Sequence, residues 1–311
     1  MSNRVAPGPW QTEFDGSADF DGVNTVLGLI PAGGVYTLTG NIICSTITIR
    51  ATVRVITAQY TVWARTLTIE AGGFLSHNGA NAVGRTAGAA IVGGGHLNLI
   101  TGAGATGATR ATAGTTPGTN AATLATAACG AGGSGGTTGG AGGTSAVTAL
   151  GADQIRILKT VWTANRNWRL APVGAGTAFG TYNGGSGGGS GAITLTTNPA
   201  SSDAGAGGSG GGIVAFRVGR LANYGTISAN GGNGSNGVLN AAVTVGGVGG
   251  GGGGSGGIVH GIIDVVESLG TITAAGGIGG SGFEIGVSYP NKNGVNGSAG
   301  IVAVFLNGEP L

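Results

Sequence analysis

Three aspartates, Asp15, Asp19 and Asp21, stand close together in "FDGSADFDG", and clustered carboxylates are what a calcium site needs. A helix-loop-helix calcium loop would continue D-x-D-x-D-G and close on glutamate, and this stretch does neither. The nonapeptide G-G-x-G-x-D-x-U-x is also missing, because the glycine tracts carry no aspartate at the required place. The aspartates therefore read as turn formers beside glycine. His77, His96 and His260 lie far apart, without the C-x-x-C or H-x-x-x-H companions of a structural zinc site. Asp264 and Glu267 are candidates for the paired carboxylates of a glycan hydrolase. Three apart in an extended strand, they would point to opposite faces, and the positions 45 earlier are Gly219 and Ala222. "GAGATG", residues 102–107, satisfies G-x-G-x-x-G, but no helix opens there and no acid follows about 20 residues on. Cys44 and Cys129, 85 positions apart, read as buried or inert thiols. The expectation is no catalytic residue, no metal and no cofactor.

The binding chemistry is concentrated in "LGADQIRILKTVWTANRNWRL", residues 150–170, which holds two of the four tryptophans and a single acid, Asp153. Trp162 and Trp168 are suited to stacking on sugar rings, with Asn165, Arg166, Asn167 and Arg169 as polar contacts. The same residues suit packing on a neighbouring subunit or particle protein, where Trp and Arg are also enriched. Both readings are interaction roles.

Composition frames these candidates. Glycine supplies 73 of 311 residues, charged residues 8% and aromatics 5%, with net charge +2. Disorder is not expected, since the hydrophobic fraction is 41% and the apolar residues gather in β-branched runs such as "TITIRATVRVIT". The near-neutral balance argues against a nucleic-acid surface. "MSNRVAPGPWQTEFDG" has neither the basic start nor the apolar stretch of a signal peptide, and no apolar run reaches membrane-span length. A chain made in the cytoplasm without that secretion signal is expected.

Internal repetition is the strongest signal of architecture. "GIVAFRVGRLANYGTISANGGNG" from Gly212 aligns without a gap with "GIVHGIIDVVESLGTITAAGGIG" from Gly257, at an offset of 45. A third copy, "GIVAVFLNG", starts 43 positions later at Gly300. An earlier echo sets Gly73, Ser76, Asn78, Gly79 and Asn81 on Gly225, Ser228, Asn230, Gly231 and Asn233, at an offset of 152. Each unit reads as a strand, a bend, a second short strand and a glycine tract. Upstream strands are expected at Val35–Leu38, Ile42–Ile49, Val53–Ile56, Thr61–Trp63 and Leu67–Ile69. Helix is disfavoured, as glycine costs about 1 kcal/mol per helical position relative to alanine. The chain divides into 1–22, an attachment or turn segment; 23–100, an N-terminal β region; 101–204, Gly/Ala/Thr-rich with the inserted segment 150–170; and 205–311, the β/glycine repeats.

Glycine tracts such as Gly249–Gly254 can be ordered only if their backbone groups find partners. Neighbouring extended glycine chains, with three residues per turn like polyproline II but with a free N–H, can provide them. The competing reading is a flexible linker, which needs no register, whereas these tracts keep nearly fixed spacing from the strands and carry "NGxN", as at Asn78–Asn81 and Asn230–Asn233. The expected fold class is all-β: a glycine-rich repetitive β-solenoid or β-sandwich with packed polyglycine-type segments.

The progression "VYTLTGNIICSTITIRATVRVITAQYTVWARTLTIEAGGFLSHNG", followed by glycine tracts and "GSGGGIVAFRV" with "NYGTISANGGNG", resembles the glycine-rich virion proteins of tailed bacteriophages and glycine-rich surface proteins of bacteria. The resemblance covers about residues 14–82 and 205–306 and is one of pattern. The tracts are also similar to those of phage tail-tip adhesins, in which a stacked glycine layer carries variable receptor-binding loops. The place matching such a loop is 150–170; the marked β-repeats between tracts depart from a pure glycine layer. The resemblance implies a non-enzymatic tail-fibre or tail-tip adhesin on a virion. Its partners would be other virion proteins and a host surface glycan or outer-membrane receptor, with no nucleic acid. A capsid or tail decoration protein is the alternative, and a glycan depolymerase a third reading. Bare glycine edges in a charge-poor chain need covering, so a homo-oligomer, a trimer, is expected.

Overall fold

The computed structural model describes residues 16–91, 106, 109–110, 114–116, 190–197, 202–239, 244–286, 291–306 and 309–310. Among them there is no helix, so none is long and apolar enough to cross a membrane, and the ordered elements are strands. In chain order these are β1 (Ser17–Phe20), β2 (Val35–Thr37), β3 (Ile42–Ile49), β4 (Arg54–Ile56), β5 (Thr61–Ile69), β6 (Phe74–Ser76), β7 (Thr109–Arg110), β8 (Gly114–Thr116) and β9 (Ile193–Thr197). There follow β10 (Ser202–Asp203), β11 (Ile213–Asn223), β12 (Thr226–Ser228), β13 (Val245–Val248), β14 (Ile258–Ser268), β15 (Thr271–Thr273), β16 (Phe283–Ile285), β17 (Ile301–Leu306) and β18 (Glu309–Pro310). The two strands expected at Thr61–Trp63 and Leu67–Ile69 are one continuous strand, because its neighbours β3 and β11 pair with it on both sides of Arg65.

Two parallel sheets carry the main core. The first has the order β1-β3-β5-β11-β14-β17, with β18 added antiparallel at the end; the second has β2-β4-β6-β12-β15. The chain alternates between them, each turn laying one strand on each sheet beside those of the turn before. Period-two side chains then follow from β geometry. Phe20, Ile49, Leu67, Ile69, Phe216 and Leu221 of the first sheet meet Tyr36, Val55, Leu75 and Ile227 of the second, all buried. Each such side chain contributes about 1.5–3 kcal/mol by leaving water.

The offsets found in the sequence are the pairing registers. Ile213–Leu221 pair with Ile258–Val266 at 45, and Ile258–Ile263 pair with Ile301–Leu306 at 43. Thr226, Ile227 and Ser228 pair with Phe74, Leu75 and Ser76 at 152. One local departure interrupts the ungapped alignment. Ala222 faces Ser268, so Glu267 is the extra residue of a bulge, and the bend that follows restores the register at Thr226 and Thr271.

Connections from the first sheet to the second are tight turns, apart from 21–34. Those returning from the second are short twice, at 38–41 and 57–60, and then become long. Each long one contains an outbound tract (77–84, 229–237, 274–282), and inbound tracts at 204–212, 249–257 and 292–300 lead into β11, β14 and β17. Together the tracts form a hydrogen-bonded glycine array continuing the sheets.

The array bonds with a period of three. Gly205, Gly208 and Gly211 donate to the carbonyls of Gly249, Gly252 and Ser255 at 2.9–3.0 Å. Gly250, Gly253 and Gly256 donate onward to Lys292, Val295 and Ser298, and Gly251, Gly254 and Gly257 donate to Ser235, Gly232 and Ala229. The first two sets rise together, so inbound tracts run parallel; the third falls as it rises, so inbound and outbound tracts are antiparallel. Three residues per turn send successive N–H groups in three directions. Residues 246–261 are buried without a break, yet the tract's backbone finds partners on several sides.

Close approach is what requires glycine. A Cβ on Gly251 would lie on the Ala206 carbonyl oxygen, and one on Gly254 or Gly257 on that of Ser209 or Gly212, closer than real Cβ atoms come. Gly40, in a short connection, has open space around the same position. Gly251→Ala is therefore expected to cost about 3 kcal/mol or more in urea unfolding. Gly40→Ala should leave the midpoint unchanged or raise stability by up to about 1 kcal/mol.

Candidate functional site

The array ends, away from the main core, at a second set of strands. An antiparallel sheet of order β16-β13-β9-β8 and the pair β10-β7 lie there, and Ile193, Leu195, Ala204 and Val248 form a separate buried cluster with Leu239 against it. This distal end carries exposed Val83, Val238, Phe283 and Ile285. Ion pairs frame them: Arg85 Nε lies 3.5 Å from Asp203, and Lys292 Nζ lies 2.8 Å from Glu284. Asp203 also exchanges both backbone bonds with Val238. Trp162, Asn165, Arg166, Asn167, Trp168 and Arg169 lie outside the described residues. The chain that carries them is bounded by Thr116 in β8 and by Ser190 beside β9, both at the distal end.

The side chains that organise the array are asparagines, whose "NGxN" spacing is visible in the sequence but not its purpose. Asn230 Oδ1 accepts from the Ala275 N–H at 2.8 Å, and the next residue, Gly231, donates to the Ala275 carbonyl at 2.9 Å. The same two-point clip joins Asn233 and Gly234 to Ile278, and Asn236 and Gly237 to Ser281. One tract earlier, Asn78 with Gly79 grips Asn230, and Asn81 with Ala82 grips Asn233. The row is half-buried to exposed, and the asparagine supplies the acceptor for an N–H turned outward. Asn293 and Asn296 serve Gly282 and Gly279 in the same way across an antiparallel contact.

The predicted acidic groups do not converge. Asp15 is outside the described residues. Asp21 accepts from the Asn24 and Val23 N–H groups at 2.8 and 2.9 Å, with the Tyr36 hydroxyl behind them, and these bonds hold its carboxyl well below the usual carboxylate range. Asp19 is taken by Arg50, whose other nitrogen reaches Glu70 at 2.8 Å. The Arg50 hydrogen bond, helped by the Ala51 N–H, lowers the Glu70 pKa. Glu267 receives the Tyr224 hydroxyl at 2.8 Å and the Arg220 guanidinium, which lower its pKa, whereas burial raises that of Asp264 against the pull of Arg217. Asp19, Asp21, Glu70 and Glu267 are thus engaged in a local turn, ladder or bulge. Among the described residues no group of three or more His, Cys, Asp or Glu could hold a metal ion. Cys44 is a buried free thiol whose pKa burial raises; Cys129, His96 and most of 102–107 are outside the described residues.

Two histidines sit at the junction between array and sheets. His77 Nδ1 is 3.1 Å from the Ile213 carbonyl, which also accepts the Thr57 hydroxyl at 3.0 Å. A carbonyl only accepts, so Nδ1 carries the proton. His260 lies level with Ala215 and Ala303 in the first sheet, its ring 5.8 Å from Phe305. Burial lowers both pKa values, that of His260 to about 4.

No protein-family model, no curated protein and no solved structure matches the chain. The arrangement itself therefore has to carry any functional reading. It offers a hydrogen-bonded glycine array, with tight turns and the longer connection 21–34 at one end and a second set of strands at the other.

Two outcomes follow. Asn233→Ala strips an acceptor from the Ile278 N–H and should lower unfolding free energy by about 1 kcal/mol. Buried His260 weakens the fold in acid: below pH 6.5 its imidazole in the unfolded chain binds a proton that the folded chain refuses until about pH 4, so stability falls on acidification across that window. For His260 the loss reaches about 3 kcal/mol. Urea titrations at a series of pH values should show this slope, and His260→Leu should flatten it.

Proposed function

We propose that the chain is a glycine-rich β-solenoid with packed polyglycine-type segments, acting without catalysis as a tail-fibre or tail-tip adhesin on a virus particle. The observation that carries this reading is the asymmetry of the connections. At one end four of the five connections between the parallel sheets are turns of two to four residues, while the chain that carries Trp162, Arg166 and Trp168 leaves and re-enters the described residues at the other, between Thr116 and Ser190. Alternation between two sequentially ordered sheets supports the solenoid, and period-three backbone bonding supports the polyglycine packing. In this reading the array is a stiff post, and its distal connections meet a host surface glycan or outer-membrane receptor. Other virion proteins hold the remainder, and the assembly is a trimer.

A second reading, a capsid or tail decoration protein, draws support from exposed Val295 and Val302 in the last turn of the chain and Val265 in β14, apolar side chains suited to protein contact. A depolymerase draws less, since Glu267 is engaged by Arg220 and Tyr224.

The test is binding of the purified full chain to host cells and to their isolated surface polysaccharide. The double substitution Trp162→Ala and Trp168→Ala should weaken binding by at least about tenfold, the effect of losing aromatic anchors, with the melting temperature unchanged. Binding only to particles would favour decoration, and release of reducing ends would favour the depolymerase. Light scattering should give three copies; a monodisperse monomer would remove the trimer.

A further inference from the structure

Asparagine followed by glycine is the dipeptide most prone to deamidation, because glycine leaves its nitrogen free to approach the asparagine side chain. Six such pairs begin, within the array, at Asn78, Asn230, Asn233, Asn236, Asn293 and Asn296. In solution the glycine nitrogen attacks Cγ, the Cγ–Nδ2 bond breaks, and ammonia leaves with the proton from the glycine N–H. Water then opens the five-membered imide at either carbonyl, leaving aspartate or isoaspartate.

The clips hold both reacting groups. At Asn230 the side-chain oxygen accepts from the Ala275 N–H and the Gly231 N–H donates to the Ala275 carbonyl, so attacker and target are pinned to one residue of the next tract. Asn233 and Asn236 repeat this on Ile278 and Ser281, and Asn78 on Asn230. At Asn293 and Asn296 the two bonds go to neighbouring residues of one outbound tract: Gly282 and Gly280, then Gly279 and Gly277. In all six the glycine proton is held on a carbonyl, and the side-chain amide is held by a backbone donor. Ring closure needs the glycine N–H released and the side chain swung from the position in which its oxygen is held.

We propose that these Asn–Gly pairs are modification sites kept silent by the array, and that local opening exposes them to an irreversible change. Isoaspartate adds one carbon to the main chain, which breaks the three-residue period, so an opened and converted tract cannot reseat. The array thereby carries a chemical record of its own opening.

The experiment incubates intact protein and urea-unfolded protein side by side at the same mildly alkaline pH, with site-resolved peptide mass spectrometry. Asn230 and Asn233 should deamidate on the order of a hundredfold more slowly in the folded chain, as expected when opening must precede reaction. Ala275→Pro separates the clip from mere burial. Proline fits the φ of a three-residue-per-turn chain and removes only the N–H that Asn230 Oδ1 accepts. In that variant Asn230 should deamidate several-fold faster than in the parent while Asn233 keeps its rate. Equal folded and unfolded rates overturn the proposal, and so does a folded Ala275→Pro with Asn230 unchanged. Should the variant fail to fold, amide exchange at Gly231 and Gly234 in the parent decides: the faster-exchanging glycine must follow the faster-deamidating asparagine, and the reverse order overturns the proposal.

Discussion

The structure depends on backbone meeting backbone with nothing between. In the array, successive N–H groups of one tract point to different neighbours, and the distance that makes those bonds leaves no room for a methyl group at Gly251, Gly254 or Gly257. Glycine is therefore imposed by contact. Its drawback is the conformational freedom lost on ordering, about 1–2 kcal/mol per residue. Apolar clusters at the two ends of the tracts offset it: the large core between the parallel sheets and the smaller one around Ile193, Leu195 and Val248. A tract anchored at only one end would behave as a linker. These tracts are drawn between two fixed points and bonded sideways along their length.

That arrangement separates labour along the molecule. At the turn end, charged side chains are spent on one another: Arg50 joins Asp19 to Glu70, and Arg220 with Tyr224 occupies Glu267. These pairs are exposed and each adds little stability, but they keep adjacent turns of the chain in step. Apolar side chains reach solvent at both ends, Val23 and Ile30 in 21–34 and Phe283 and Ile285 at the distal end.

Much of this was legible in the sequence because β-branched runs and glycine spacing record local geometry directly. The offsets of 45 and 152 are registers, since residues stacked in adjacent turns face the same surroundings. The break expected between Trp63 and Leu67 was not real: Arg65 looks like an interruption, but neighbours on both sides carry the strand across it. The bulge at Glu267 was hidden because the bend after it restores the count. The asparagine spacing was visible, but its partners lie 45 or 152 residues away, and nothing local to "NGGNGSNG" says which N–H groups need an acceptor. The burial of His260 was equally illegible, for it depends on what lies above one face of a sheet. The residues singled out for binding, 162–169, lie outside the described residues.

The geometry of the tracts also sets how the molecule can vary in size. Because bonding directions recur every third residue, an insertion of one or two residues would rotate everything beyond it away from its neighbours, whereas three residues, about 9 Å of rise, would restore the pattern. The increment must enter adjoining outward and returning limbs together, or one would overhang the other with bare edges. The height of the post is thus quantised and collectively fixed, while the sheets beneath it need not change at all.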